Sequence, residues 1–375
     1  MVRTEFTTGR NESLDALRGF AAAMVVLCHV ILFAPPGGPT FGWLLHFTPL
    51  YLLFSGRAPV IFFFVLSGYV LTLSLMRPGA PGPVGFALRR ACRLLLPVTG
   101  AVLLSAALRR ISFAGPLPEY SWYVQQIMWV PAPGAGDLLR QSFLIGAEGQ
   151  FGLDPALWSL VHEWRISLVL PAVLLFRHRP LLLLALGLPL QGLAFAGGVD
   201  PGRTMLGPHL HSTLVATLYF SGAFTAGAAL ALGGAGLRLE GQARFAAWVA
   251  LLGCVWLQSD LAYIGGSLLL ILLAREGGRL PRMLVAPVPR FLGRISYSLY
   301  LVHMSVLAFA AHTTHGWLPP WVALSLGALA SLPVAALFHA LVEVPSHRLS
   351  RRIGRRGTRL AVFGAQLSSS MSQYR

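Results

Sequence analysis

Apolar runs of about twenty residues recur along the whole chain, separated by short stretches rich in Arg, Gly and Pro. A helix of about twenty apolar residues crosses a hydrocarbon core of about 30 Å. Ten such spans are placed: Ser13 to Phe33, Val60 to Met76, Leu94 to Leu108, Ala156 to Phe176, Leu181 to Ala196, Thr213 to Leu232, Phe245 to Gln258, Leu261 to Ala274, Ser296 to Ala311 and Trp321 to Val342. The seventh and eighth read as a tight helical hairpin around Ser259 and Asp260. If they were one broken span, everything downstream would reverse its orientation.

Composition sharpens this picture. Hydrophobic residues make up 55% of the chain and charged residues 11%, a balance that few soluble domains of this length could hide. The net charge of +16 could point to nucleic acid, but its distribution excludes that class. All 29 basic residues are Arg, and 23 of them fall on one side of a ten-span topology. These are Arg3, Arg10, Arg18, Arg77, Arg89, Arg90, Arg93, Arg177, Arg179, Arg238, Arg244, Arg275, Arg279, Arg282, Arg290, Arg294 and the seven arginines from Arg348 onward. The other side holds Arg57, Arg109, Arg110, Arg140 and Arg203, and Arg165 lies within a span. The positive-inside rule then sets both termini in the cytoplasm. The expected fold class is an all-α integral membrane protein with about ten transmembrane helices, in the cytoplasmic membrane of a bacterium.

The membrane domain is expected over residues 1–345, followed by a basic tail over 346–375 that lies on the membrane surface. Arg3 and Arg10 ahead of an apolar run look like a signal peptide, but Asp15 and Arg18 at the helix start favour a retained first span. The longest outer segment, Ile111 to Pro155, carries Glu119, Asp137, Glu148 and Asp154 among Trp, Pro and Gly, and is read as a cap over the outer mouth. Cys28, Cys92 and Cys254 show neither metal-ligand spacing nor a disulfide framework. No metal site is expected.

Ionisable groups inside spans are costly and usually face a cavity or a partner. Arg18 and His29 are eleven residues apart, about three helical turns, so they share a face roughly 16 Å apart along the axis. Asp15, three residues before Arg18, can pair with it. A helix cap plus a core histidine would explain the same residues; the shared face favours function. Phe63 to Tyr69 contains Ser67 and Gly68, which by themselves read as a close-packing motif. In Trp158-Ser159-Leu160-Val161-His162-Glu163, the carboxylate of Glu163 needs Arg, His, water or a substrate hydroxyl; a structural pair and a functional role weigh equally. Ser296 to His303 places Tyr300 and His303 on a hydroxyl-rich helix that could equally be an interface. Arg89, Arg90 and Arg93 precede the third span, where they serve topology or clamp phosphates.

Together these segments resemble the membrane-bound acyltransferase-3 family. Arg18 and His29 match its Arg-x10-His pattern, within Leu14-Asp15-Ala16-Leu17-Arg18-Gly19. Phe63 to Tyr69 is similar to its Phe-Phe-x-x-Ser-Gly-aromatic segment, and Arg90 with Arg93 to its Arg-x-x-Arg element ahead of a proline. Trp158-Ser159-Leu160 with Glu163 resembles its Trp-Ser-Leu-x-x-Glu segment, although Val161-His162 replaces a commoner pair and Arg165 follows. Ser296 to His303 and Glu343-x-Pro345 complete six matches in family order over residues 14–345.

The resemblance implies transfer of an acyl group, often acetyl, from cytoplasmic acyl-CoA to a hydroxyl of a carbohydrate, lipid or macrolide-like acceptor. Acyl-CoA is then a co-substrate, and no permanently bound cofactor is implied. On that reading Arg90, Arg93 and Arg89 dock the CoA phosphates. His29 is the base, Arg18 and Asp15 flank the thioester path, and Glu163 joins the catalytic set. His303, Tyr300, Ser67 and Trp158 hold the acceptor. A covalent acyl-histidine is the less favoured chemistry. The rival class is a transporter or flippase whose polar stripe lines a permeation path; it would favour an inverted repeat, which the sequence does not display. A third class is a membrane scaffold in which Asp15, Arg18 and Glu163 form structural pairs.

Overall fold

A computed structural model of the protein describes residues 12–35, 48–130, 132–275 and 279–353. Arg3, Arg10, Arg355, Arg356, Arg359 and Arg375 lie outside the described residues. Among the described residues all regular structure is helical. The helices are α1 (Glu12–Phe33), α2 (Arg57–Leu75), α3 (Pro83–Ser112), α4 (Trp122–Gln126), α5 (Ala135–Ser142), α6 (Trp158–Val169), α7 (Pro180–Ala196), α8 (Leu210–Gly233), α9 (Gly241–Leu257), α10 (Asp260–Arg275), α11 (Arg279–Leu284), α12 (Pro287–Thr314) and α13 (Pro320–Phe338). Short 3-10 turns flank α6, extending it to Pro155–Phe176, and α13 continues through a π turn to Ile353.

Among the described residues seven helical stretches are long and apolar enough to cross a membrane: α1, α2, α3, the α6 stretch, α8, α12 and the α13 stretch. The other three expected spans are helices too, but shorter. Helices α7 and α9 have 17 residues each and α10 has 16. At 1.5 Å per residue these reach about 25 Å, just under the hydrocarbon thickness. The expected hairpin is present, with Gln258 in the left-handed region (φ 45°) between α9 and α10.

Two span boundaries differ in an informative way. Helix α3 starts at Pro83, after an extended Gly82, rather than at Leu94. Arg89, Arg90 and Arg93 therefore lie inside a 30-residue helix and not in a loop before it. Hydropathy rejects arginines from a span, but the backbone does not, and long basic side chains reach sideways to polar ground. Likewise the last helical stretch runs from Pro320 to Ile353, past the end of the tenth span expected at Val342.

Helix α12 is the centre of the bundle: 83% of its most apolar stretch is buried, more than in any other candidate span. It packs on α1 and α13, while α2 packs on α8 and α10. Helix α1 contributes to both of the larger apolar cores, its Leu14–Ala21 end to one and Ala22–Phe33 to the other.

The α1–α12 contact depends on two glycines. A Cβ on Gly19 would sit 2.5 Å from the backbone of Gly293, and one on Gly293 would sit 2.5 Å from the carbonyl of Asp15. Gly293→Val is expected to destabilise the protein by about 3 kcal/mol, at the upper end for overpacking. The readout is a lowered unfolding midpoint in detergent, and an unchanged midpoint would contradict the close backbone contact. Gly68 plays the corresponding part between α2 and α8, where a Cβ would meet the Phe224 carbonyl at 2.1 Å. The packing role read from Ser67-Gly68 is therefore present.

The segment between α3 and α6 is a folded lid. Leu117, Tyr120, Val124, Met128, Trp129, Leu144, Phe151 and Leu153 are buried in the main core. Ser121 donates its N–H to the Phe33 carbonyl (2.8 Å) and its hydroxyl to the Leu32 carbonyl (2.6 Å). These bonds satisfy carbonyls that the end of α1 leaves orphaned. Trp129 has φ 66°, unusual for a bulky residue. Its indole N–H donates to the Ser105 hydroxyl (2.9 Å), Arg109 donates to its carbonyl (2.7 Å), and its ring stacks on His312.

Candidate active site

Helices α1 and α12 run parallel from the Gly19–Gly293 contact. Ten residues beyond each glycine stands a histidine, His29 and His303. Equal spacing on parallel helices brings both rings to one level, about 15 Å from the glycines. Their centroids are 5.0 Å apart, with His303 Nε2 3.2 Å from His29 Nδ1.

The partners of these nitrogens assign the protons. His303 Nδ1 faces the carbonyls of Tyr300 (2.8 Å) and Leu299 (3.1 Å), so it carries a hydrogen. In the neutral ring its Nε2 is then bare and accepts. His29 Nδ1 lies 2.8 Å from the Val25 carbonyl, so it also carries a hydrogen, shared with His303 Nε2. That leaves Nε2 of neutral His29 with a free lone pair. His303 has no exposed surface, whereas His29 is only partly buried. The pair therefore offers one basic nitrogen to an incoming molecule, and His303 reaches that molecule only through His29.

One turn along α12, the Tyr300 hydroxyl donates to the Ala156 carbonyl (2.7 Å) and accepts from Ser159 (2.7 Å). Tyr300 thus fastens α12 to the start of α6 and has no donor left over. The Phe63 ring meets it edge-on at 5.9 Å. Trp158 packs on Phe220 (5.6 Å) and His162 (6.0 Å) and keeps part of its surface accessible. His162 is buried between the Thr217 hydroxyl (2.9 Å) and the Met205 carbonyl (2.8 Å), as a structural histidine.

The next level holds an ion pair. Arg90 Nη2 lies 2.7 Å from Glu163 Oε1, with side-chain exposures of 11% and 16%. Ser67 donates to the same oxygen at 3.2 Å. Phe63 and Ser67 are four residues apart on α2, as are Ser159 and Glu163 on α6. The ion pair is therefore displaced about 6 Å along the bundle from the Tyr300 level. The structural pair read for Glu163 is present, and its partner is Arg90.

Arg93 and Arg18 stand at the far end of this column. Arg93 interacts electrostatically with Arg90, Arg18 and Glu343. It is more than a third exposed and makes no hydrogen bond or ion pair among the described residues. Arg18 meets Asp15 at 3.7 Å, an ion pair without hydrogen-bond geometry. Arg89 is partly buried with its Nε unpartnered among the described residues. The π turn at His339–Glu343 directs Glu343 to the Ser298 hydroxyl (2.6 Å) and His339 Nδ1 (2.9 Å). Glu343 reads from sequence only within Glu343-x-Pro345, and Asp154 only as one carboxylate of the outer segment; their partners, and the lid residue Tyr123, do not, because contacts between distant helices and within a folded loop leave no local pattern. Among the described residues no group of three His, Cys, Asp or Glu could hold a metal.

Among the described residues the chain is an all-helical bundle, with several helices long and apolar enough to cross a membrane and a partly accessible imidazole, His29, in its interior. The family model described as Acyltransferase domain (Acyl_transf_3) matches residues 11–340, nearly the whole chain. The chain belongs to this acyltransferase-3 family and is an acyltransferase. No curated protein and no solved structure matches it.

Proposed function

We propose that the protein is an O-acyltransferase of the bacterial cytoplasmic membrane. It moves an acyl group, acetyl by default, from cytoplasmic acyl-CoA to a hydroxyl of a carbohydrate or other natural-product acceptor. The observation that carries this reading is the placement of His29, whose Nδ1 lies 2.8 Å from the Val25 carbonyl and 3.2 Å from His303 Nε2, on the same helix as Arg18. Ten spans with both termini cytoplasmic remain the preferred topology. In support, Arg57 and Asp260, both expected on the outer side, meet in a 2.6 Å ion pair.

In the proposed reaction the acceptor O–H gives its proton to His29 Nε2 as its oxygen attacks the thioester carbonyl. The new C–O bond forms as the C–S bond breaks, and the imidazolium returns the proton to the departing CoA sulfur. His303 accepts from His29 throughout and holds the ring, so its role is positioning. The CoA phosphates pair with Arg93, which makes no hydrogen bond or ion pair among the described residues, and with Arg18, which meets Asp15 at 3.7 Å. Arg90 holds Glu163 and borders the path. Ser67 and Trp158 line its wall.

Incubation of the purified protein with acetyl-CoA labelled in the acetyl group tests the reading. Release of CoA with label in an ester of the acceptor is expected; substrate accumulation without bond cleavage, as in a flippase, would overturn it. Arg93→Ala should weaken CoA binding about tenfold or more, the loss of one charge-assisted interaction. Unchanged affinity in a calorimetric titration would reject phosphate docking there.

A further inference from the structure

Arg165 stands in the middle of the α6 stretch, Pro155–Phe176, and the chemistry above does not use it. Its Nη1 donates to the Thr213 carbonyl at 3.4 Å and to the Thr217 hydroxyl at 3.2 Å, both on α8. These bonds are long for a guanidinium, whose hydrogen bonds to a charged partner run at about 2.7–2.9 Å. Both acceptors are neutral, and the Thr217 oxygen also faces His162 Nδ1 (2.9 Å). Nε and Nη2 make no hydrogen bond or ion pair among the described residues, and the residue keeps part of its surface accessible. By contrast, Arg57 and Arg90 each meet a carboxylate, at 2.6 and 2.7 Å. A cation on a membrane-crossing helix is costly and asks for an anionic partner.

The surroundings decide what kind of anion can reach it. Leu168 and Val169, three and four residues on, share the face of Arg165 and are exposed, the second at 68%. On a helix of this length and hydropathy such side chains face hydrocarbon. On α8, the exposed Leu210 and Leu214 lie with Thr217 at i, i+4 and i+7, along one side of the helix. Leu210 also lines an open cavity of about 380 Å³ with Gln150, Pro208 and His209, where the lid meets the loop before α8. The Glu148 N–H fastens the lid there to the Gly207 carbonyl (2.9 Å). From Leu210 to Thr217 is about 10 Å along α8, so the guanidinium lies about two turns from the lid end of that helix. A long basic side chain reaches the headgroup region from such a depth.

We infer that Arg165 seats the phosphate of one anionic phospholipid from the lid-side leaflet, held as a bound ligand and not acylated. The free Nε and Nη2 donors form a fork that matches two phosphate oxygens. The cavity beside Gln150 and His209 receives the polar end of the headgroup, and Leu168 and Val169 lie along the acyl chains. A soluble anion gains nothing from these apolar neighbours, whereas an amphiphile buries its chains against them. Anionic lipid is preferred to zwitterionic lipid, because it has no ammonium of its own to compete for the phosphate. The seat and the acyl-transfer chemistry stand independently of each other.

Native mass spectrometry of full-length protein, released from nanodiscs of equimolar phosphatidylglycerol and phosphatidylcholine, tests the seat. The wild type is expected to retain phosphatidylglycerol, and Arg165→Gln to retain it about tenfold less, the loss of one charge-assisted interaction. Arg165→Lys keeps the charge without the fork and should retain an intermediate fraction. Arg110→Gln removes an exposed arginine at the lid end of α3 and should leave retention unchanged. Unfolding midpoints in the two pure lipids give a second readout. Phosphatidylglycerol should raise the wild-type midpoint above its value in phosphatidylcholine and leave that of Arg165→Gln unmoved. Each variant is compared with itself, so a general loss of stability cancels. If Arg165→Gln does not fold, Leu214→Glu sets a carboxylate on the same side of α8 and should lower retention to a similar degree. Wild-type retention in Arg165→Gln or Leu214→Glu overturns the seat, as does an equal loss in Arg110→Gln, which would be diffuse charge attraction. Glycerol 3-phosphate that reproduces the midpoint rise overturns a lipid as the occupant.

Discussion

Replacing His29 by alanine is expected to lower acyl transfer by about 10³-fold, the scale of a lost general base. Expression and fold should persist, because His29 contributes one shared hydrogen bond, worth about 1 kcal/mol. The measurement is CoA release from acetyl-CoA alongside the unfolding midpoint of the same preparation. Full activity with an intact midpoint would remove His29 from the chemistry. His303→Ala provides the companion experiment. Without its acceptor nitrogen the His29 ring can turn over, so kcat should fall about tenfold while the KM for acyl-CoA holds. His303→Gln, which keeps a polar group near His29, should recover part of kcat. A His303 variant that shifts only the acceptor KM would instead make it a substrate contact.

The second large effect lies one level away. Arg90→Met leaves Glu163 charged and enclosed, with only the Ser67 hydroxyl at 3.2 Å to answer it. Breaking a buried pair from one side costs about 3–5 kcal/mol, whereas replacing both partners is often neutral. Arg90→Met is therefore expected to be strongly destabilised, and Arg90→Met combined with Glu163→Gln to regain most of the loss. Unfolding midpoints of the wild type, both single variants and the double variant measure the coupling. Additive losses would mean that the two groups do not sense each other. The same cycle separates roles: an Arg90 variant that binds CoA weakly only because it is unstable should recover binding in the double variant.

Much of this arrangement was legible in the chain and some of it could not be. His29 stood out because one helix carries both it and Arg18, and helical spacing alone aligns them. Its partner His303 is 274 residues away, and no local pattern links the two. The helix hairpin at Ser259 and Asp260 was readable from the two short apolar runs that flank it. Its anchoring to Arg57 and Tyr219 was not, since those contacts span 203 and 41 residues. Arg90 reads from sequence as serving topology or clamping phosphates because it sits among arginines outside an apolar window. The helix actually begins at Pro83, and that places Arg90 deep enough to meet Glu163. Asp154 was hidden for the opposite reason. Loop composition suggests water, yet this lid folds into the main core and takes its carboxyl with it.

The contact between Gly19 and Gly293 also has a mechanical meaning. It is a fulcrum, and the imidazoles stand at the end of a lever about 15 Å long. A change of about 4° in the tilt of one rod against the other displaces its ring by about 1 Å, enough to make or break the bridge between the two nitrogens. The separation of that contact from the rings means that the tilt of the two helices, and not the imidazoles' immediate surroundings alone, sets the aim of the base.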